Sequence, residues 1–224
     1  MKKIKNTQIA LTHNYMELNE ILDDARENRM VMSIVSPAGS GKTYTARYYS
    51  DTKSETYMLC CSEYWNRNLF VNELLQAMDK DIKGLSLNDK VKTIVDYLIT
   101  LKSPLIIIDE ADKLPDRVLF FLITLYNNIE DECGMILLST DYLNRRFKIG
   151  LEYNKMGYAE LWSRIGKRCI PLEGVTSDDI QKICKLHSIT SQVDINAIIK
   201  DSDSDLRRVK RKIHAILRKR KTQK

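Results

Sequence analysis

The stretch Ser36-Pro37-Ala38-Gly39-Ser40-Gly41-Lys42-Thr43 follows the apolar run Met30 to Val35 and opens a helical pattern. A glycine-rich turn wedged between a strand and a helix commits a chain to an α/β layout and reads as a cradle for nucleotide phosphates. Such a turn exposes successive backbone N–H groups, and the helix N-terminus adds positive partial charge. Lys42 can then reach the β- and γ-phosphates, and Thr43 can ligate Mg²⁺. Ser36 stands where the pattern G-x-x-x-x-G-K-[ST] asks for glycine. The departure is tolerable if Ser36 keeps ordinary strand-end dihedrals, because glycine is obligatory only where φ is positive or backbone must approach closely.

A second element supports the same chemistry. Leu105-Ile106-Ile107-Ile108-Asp109-Glu110 is a continuous apolar run after Pro104, as expected for a strand buried on both faces of a parallel sheet, and it ends in two carboxylates. This is a Walker B pattern. Asp109 would hold Mg²⁺ through its water shell, and Glu110 would orient and deprotonate the water that attacks the γ-phosphate.

At 224 residues the chain can bury a substantial core, as one large domain or as a domain with a small appendage. Hydrophobic content of 43% and charged content of 29% are those of a soluble globular protein. No apolar stretch approaches the ~18 residues needed to cross a bilayer. Met1-Lys2-Lys3-Ile4-Lys5 begins like a signal peptide, but no apolar segment follows, so the expected location is cytoplasmic. Cys60, Cys61, Cys133, Cys169 and Cys184 show no CxxC spacing and read as buried reduced thiols. His13, His187 and His214 are too isolated to form a zinc site.

Charge is unevenly spread. Ten Lys/Arg and no acid lie between Leu206 and Lys224, so the overall charge of +6 leaves the first 205 residues at −4. A polyanion contact at that end, or a solvated helix face with a basic tail, accounts for this. Nucleic acid is favoured over membrane, because no Trp or Phe lies on an opposing apolar face.

Strand and helix patterns alternate, which predicts a three-layer α/β domain over residues 1–173. Helices are expected over Asn14–Asn28, Lys42–Tyr49, Asn68–Met78, Leu87–Leu101 and Pro115–Ile129. Strands are expected over Met30–Val35, Thr56–Cys61, the Walker B run, Met135–Ser139 and Lys167–Leu172. From residue 174 to 224 the strand pattern stops. Thr176–Lys185, with Thr176 as N-cap, Val193–Lys200 and Asp203–Lys219 read as a small all-helical lid.

This order of elements resembles the AAA+ ATPases of the ASCE type of P-loop fold, over almost the whole chain. The resemblance implies ATP and Mg²⁺, bound by residues 36–43 with Asp109, and hydrolysis assisted by Glu110. It also implies a sensor residue where the strand after Walker B ends in Leu138-Ser139-Thr140, with Thr140 the first choice and Ser139 its neighbour in register. Leu161-Trp162-Ser163-Arg164-Ile165 resembles the segment that projects an arginine finger into the neighbouring subunit's site, with Arg164 favoured and Arg168 the alternative. Asp205-Leu206-Arg207 resembles the second sensor, from which Arg207 reaches the γ-phosphate. The implied assembly is a homo-oligomer, ring or helical filament.

Within that family the chain resembles the DNA-transposition ATPases of the phage Mu and insertion-sequence helper type. An entry helix from Asn14 runs straight into the first strand, and no protease, helicase or membrane module is recognisable. The Mu protein carries a separate N-terminal DNA-binding domain, whereas here fewer than 15 residues precede the entry helix. The resemblance therefore places contacts to duplex DNA on the ring and the C-terminal segment, and implies a transposase as partner. Candidates are Trp65, Arg67, Lys80, Lys83, Lys90 and Lys92, between the second strand and Walker B, together with Lys210 and Arg211. Phosphate contacts there give binding without sequence preference. A helicase-loader-like adaptor acting on a protein partner is the alternative, and a monomeric metabolic kinase or nucleotide switch is a third reading.

Overall fold

The computed structural model describes residues 9–222; the residues read above as a leader-like start and Lys224 lie outside them. Five strands, β1 (Val31–Val35), β2 (Thr56–Cys60), β3 (Leu105–Asp109), β4 (Gly134–Ser139) and β5 (Cys169–Pro171), form one parallel sheet in the order β2-β3-β4-β1-β5. β3 and β4 are buried at every position, which their near-continuous apolar sequences require. Their side chains alternate between two cores. Ile106, Ile108, Met135 and Leu137 enter one, and Leu105, Ile107, Ile136 and Leu138 enter the other.

Helices α1 (His13–Glu27) and α2 (Lys42–Thr52) cover the second core through Leu18, Leu22, Ala46 and Tyr49. The first core is covered by α3 (Arg67–Ala77), α4 (Leu87–Leu98), α5 (Asp116–Leu119), α6 (Phe121–Ile129), α7 (Asp141–Glu152) and α8 (Tyr158–Arg164). The C-terminal segment is helical: α9 (Ser177–Leu186), α10 (Gln192–Ser202) and α11 (Leu206–Thr222) close on a cluster of their own that includes Ile180, Cys184, Ile195, Ile198, Val209 and Ile213.

Several elements differ from the sequence-based expectation. Pro115–Ile129 is two helices divided at Phe120, whose ring packs edge-on against Tyr158 at 5.0 Å. Residues 141–164, left without an assigned element, form α7 and α8. The last helix starts at Leu206, because Asp203 and Ser204 take left-handed φ values of 50° and 57° that interrupt a helix. Cys60 is exposed and Cys169 half-buried, so only three of the five thiols fit the buried reading. Trp65 is 6% exposed and packs against Phe70 in the core, which removes it from any DNA surface. Lys90 is also buried, its ammonium donating to Asn68 Oδ1 at 3.1 Å, and Lys80 lies 3.6 Å from the centre of the Tyr97 ring. Arg67, Lys83 and Lys92 remain exposed.

The topology builds a crevice. β1 leads through α2 to β2 at the far edge, and the chain returns by β3 and β4 to fill the gap between β2 and β1. The carboxyl ends of β1, β4 and β3 are therefore neighbours, with Val35 opposite Ser139 in register, and such ends are where open α/β sheets bind ligands.

Candidate nucleotide site

The loop after β1 takes the shape its glycines permit. Gly39 (φ 81°) and Gly41 (φ 96°) are left-handed, whereas Ser36 is not, so the missing first glycine costs no backbone strain. The Ser36 N–H donates to the Ser139 carbonyl at 3.2 Å and holds the loop to the end of β4. Gly41 is the N-cap of α2, leaving that helix without a side-chain cap and with its first N–H groups free for an anion.

Lys42 folds back over the loop, donating to the carbonyls of Ser36 (2.6 Å) and Pro37 (3.2 Å) and to Ser40 Oγ (3.4 Å). Burial pushes its pKa down to about 8, against the opposing pull of the Asp109 and Asp112 carboxylates and with a small further push from Arg207. A phosphate beside it would compensate the desolvated charge. Asp109 is 2% exposed, and burial raises its pKa while the nearby Thr43 hydroxyl and the Glu110 N–H draw it back. Its Oδ1 accepts from Glu110 N–H at 3.0 Å, but its Oδ2 is buried without a well-formed hydrogen bond. A buried anionic oxygen beside the Thr43 hydroxyl is a donor set suited to a hard cation such as Mg²⁺.

Glu110 has a left-handed backbone (φ 57°), an outlier of the kind that clusters at functional sites. Its Oε2 accepts from Lys113 Nζ at 2.6 Å and from the Cys60 thiol at 3.7 Å. Lys113 is a site residue the sequence reading missed. Its spacing three residues after Glu110, across the 3₁₀ turn Ala111–Lys113, was the available signal. An exposed ion pair is worth up to ~1 kcal/mol, so Lys113→Ala is expected to raise unstimulated ATP turnover by up to roughly fivefold. A phosphate-release assay that finds turnover unchanged or lowered would show that Lys113 does not restrain Glu110.

Thr140 caps α7, accepting from Tyr142 N–H, and its hydroxyl is committed to Asp112 Oδ2 at 2.5 Å. Ser139 Oγ is buried with no partner among the described residues, so of the two sensor candidates it is Ser139 that carries the uncommitted hydroxyl. Asp112 was likewise absent from the sequence reading. Both hydroxyl residues line the same cavity as Lys42, Thr43, Asp109, Glu110 and Arg207.

That cavity, about 1090 Å³, extends from the phosphate loop between Ile9 and Ala10, Tyr15 of α1, the end of α9 (Leu186, with His187 just beyond it) and α11 (Ile213, His214, Leu217). Helix α11 is joined to the loop directly, Leu206 N–H donating to the Gly39 carbonyl at 2.9 Å. Asp205 sits against Gly39, where a Cβ would collide with its carboxylate. This contact, with the positive φ, makes glycine necessary at that position.

Arg164 lies outside its own cavity. Its guanidinium donates to Asn127 Oδ1 at 3.0 and 3.3 Å, approaches Glu160 at 3.7 Å and stands 5.1 Å from the Tyr126 ring, on the outer side of α6. Arg168 is exposed beyond the end of α8. Arg146 joins these parts. It donates to the carbonyls of Asp112 (2.8 Å) and Leu114 (3.0 Å) and to Asp116 Oδ1 (2.6 Å), which also accepts from Tyr158 at the start of α8.

The fold is similar to that of RuvB of Thermotoga maritima, in a structure of a single-residue variant, with 17% identity, a TM-score of 0.52 and coverage of 91% of this chain and 61% of that one. It is similar also to a chain of Drosophila ORC bound to DNA, with 11% identity, a TM-score of 0.57 and coverage of 92% of this chain and 54% of that one. The chain thus spans less than two thirds of either relative. No curated protein sequence matches it. Among the described residues no helix is long and apolar enough to cross a membrane. The family described as AAA domain matches residues 25–147, more than half of the chain, from the end of α1 through both nucleotide motifs and β4 into α7, and the protein belongs to that family.

Proposed function

We propose that the chain is a Mg²⁺-dependent ATPase that assembles head to tail on duplex DNA when ATP is bound, and that its nucleotide state regulates a transposase acting on that DNA. One observation carries the reading. A single cavity gathers Lys42, Thr43, Asp109, Glu110 and Arg207, while Arg164 lies outside it, held by Asn127 and Glu160 in contacts it can exchange for a second copy's phosphate.

In this reading the free N–H groups of the loop and of α2 bind the phosphates, and Lys42 moves from its loop carbonyls to the phosphate oxygens. Thr43 and Asp109 hold Mg²⁺, which when bound neutralises phosphate charge. Glu110 leaves Lys113 and takes the proton of the attacking water, whose oxygen forms the new bond to phosphorus as the bond to ADP breaks. Ser139 or Thr140 orients that water. Arg207 in the same chain and Arg164 from the neighbour stabilise the charge that develops on the transferring group. The tyrosine and apolar side chains of the outer cavity suit a nucleoside.

The concentration of basic residues at the C-terminal end supports the DNA part, as does the likeness to a chain from a DNA-bound complex. Affinity for a labelled duplex, measured with ATP, with ADP and without nucleotide, is expected to be highest with ATP. Binding that is absent, or indifferent to nucleotide, would reject the proposal.

A further inference from the structure

The cations of α11 are not equivalent. Arg208 and Lys212 share the Asp201 carboxylate at 3.9 and 2.7 Å, and Arg220 donates to Asp194 and to the Ser188 carbonyl, each at 3.2 Å. These three are neutralised by α10 and by the turn before it. Val209 and Ile213 are buried in the lid's own cluster, with Leu206, Ile216 and Leu217 packed against it. The remaining arc holds Arg207, Lys210, Arg211, His214 and Arg218, at i, i+3, i+4, i+7 and i+11, which is one stripe of a helix. The stripe is exposed, and among the described residues none of its side chains has a carboxylate partner. Its first four members line one shallow groove of about 550 Å³. Lys219, also without a carboxylate partner among the described residues, falls about 120° round the helix from the stripe's centre, on the flank of Arg208 and Lys212.

We infer that this stripe is the surface that holds duplex DNA, by its phosphates; the inference rests on the DNA-binding reading above and assigns it a place. Over the eleven residue steps from Arg207 to Arg218 the stripe is ~16 Å long, a length along which duplex DNA presents about ten charges. That is more than one nucleotide offers. A membrane surface does not fit, because no large apolar side chain of α11 is exposed and its apolar face is already covered within the lid. A protein partner would ask for an apolar or aromatic anchor among the cations, and the stripe has none. The groove has the chemistry of a backbone contact, which positions a duplex without reading its sequence.

The stripe begins at the nucleotide. Arg207 is its first member, with Lys210 and His214 it also lines the phosphate cavity, and the residue before Arg207 is tied to Gly39. DNA held along α11 and ATP held by the loop therefore act on one rigid helix, a direct physical route by which nucleotide changes DNA affinity.

The test uses the full chain with the paired substitutions Arg211→Glu and Arg218→Glu, and Lys219→Glu as the charge control. Fluorescence anisotropy on a labelled duplex with ATP, over a salt series, reads affinity and salt slope. Two lost phosphate contacts make the slope shallower by about 1.8 and weaken binding by at least ~60-fold at 0.1 M salt, while Lys219→Glu leaves the slope at the wild-type value. Circular dichroism and melting check the fold. If the charge reversals unfold the lid, Arg211→Gln with Arg218→Gln gives the same readouts without added repulsion. Wild-type affinity and slope in the paired variant would overturn the stripe while leaving DNA binding in place elsewhere. Stripe-dependent binding of RNA but not of duplex DNA would also overturn it. Absence of duplex binding by the wild type would remove the DNA reading and this inference together.

Discussion

Glu110→Gln is expected to lower ATP turnover by roughly 10²–10⁴-fold while ATP affinity stays near that of the wild type. Glutamine keeps the length of the side chain and its ability to accept a hydrogen bond from Lys113, but it does not take the proton of the attacking water. Lys42, Thr43 and Asp109, the proposed phosphate and metal contacts, lie on other parts of the cavity wall and are untouched. The cost to the fold is small, because the lost ion pair is a partly exposed one between residues three apart. The variant should therefore accumulate in its ATP-bound state and leave duplex DNA more slowly than the wild type. Phosphate release under saturating ATP and dissociation of a labelled duplex after a chase give the two readouts. Turnover within a few-fold of wild type would remove Glu110 from the role of base, and unchanged dissociation would uncouple hydrolysis from DNA release.

The features legible in the sequence were those that a local rule dictates. A run such as Leu105–Ile108 has no stable place except a doubly covered strand, and a glycine-serine-glycine-lysine-threonine turn after a strand has few uses other than an anion. Thr176 was expected as an N-cap and is one, with Asp179 completing a capping box. What escaped depends on contacts between distant segments. α7 shows only Leu143, Phe147 and Gly150 buried in twelve residues, and the glycine is there because the Tyr158 ring occupies the space of a side chain. Trp65, in the loop before α3, and Lys90, in the first turns of α4, read from the sequence as exposed side chains. Only the packing of α3 and α4 over β2 and β3 turns them inward, Trp65 into the aromatic contact with Phe70 and Lys90 onto Asn68. The same holds for the site. Lys113 and Asp112 follow Walker B directly, but their pairing with Glu110 and Thr140 depends on a left-handed backbone at Glu110, which no propensity announces.

Arg164→Ala tests the step at which one chain stops being sufficient, and its expected effect is the largest. Removing an arginine finger costs ~10³–10⁵ in rate, and here the loss should fall on turnover with ATP binding retained, because Arg164 touches none of the residues of its own cavity. In the free chain the guanidinium rests on Asn127 and Glu160 and near Tyr126, contacts of an exposed pair that are weak enough to exchange for a phosphate. A low rate alone would not separate a residue acting in trans from one whose loss disturbs α8. Mixing does. Arg164→Ala keeps Glu110 but lacks the finger, and Glu110→Gln keeps the finger but lacks the base, so neither homogeneous assembly hydrolyses ATP. In a one-to-one mixed assembly with head-to-tail interfaces, about a quarter of the sites pair an intact Glu110 with an intact Arg164 from the adjacent copy. Turnover of the mixture is expected to rise to that fraction of wild type, and to do so only at concentrations where the oligomer forms. A mixture as inactive as its components would show that Arg164 does not reach a neighbour's nucleotide. An Arg164→Ala variant as active as the wild type would return the finger's role to Arg168 or to Arg207 alone.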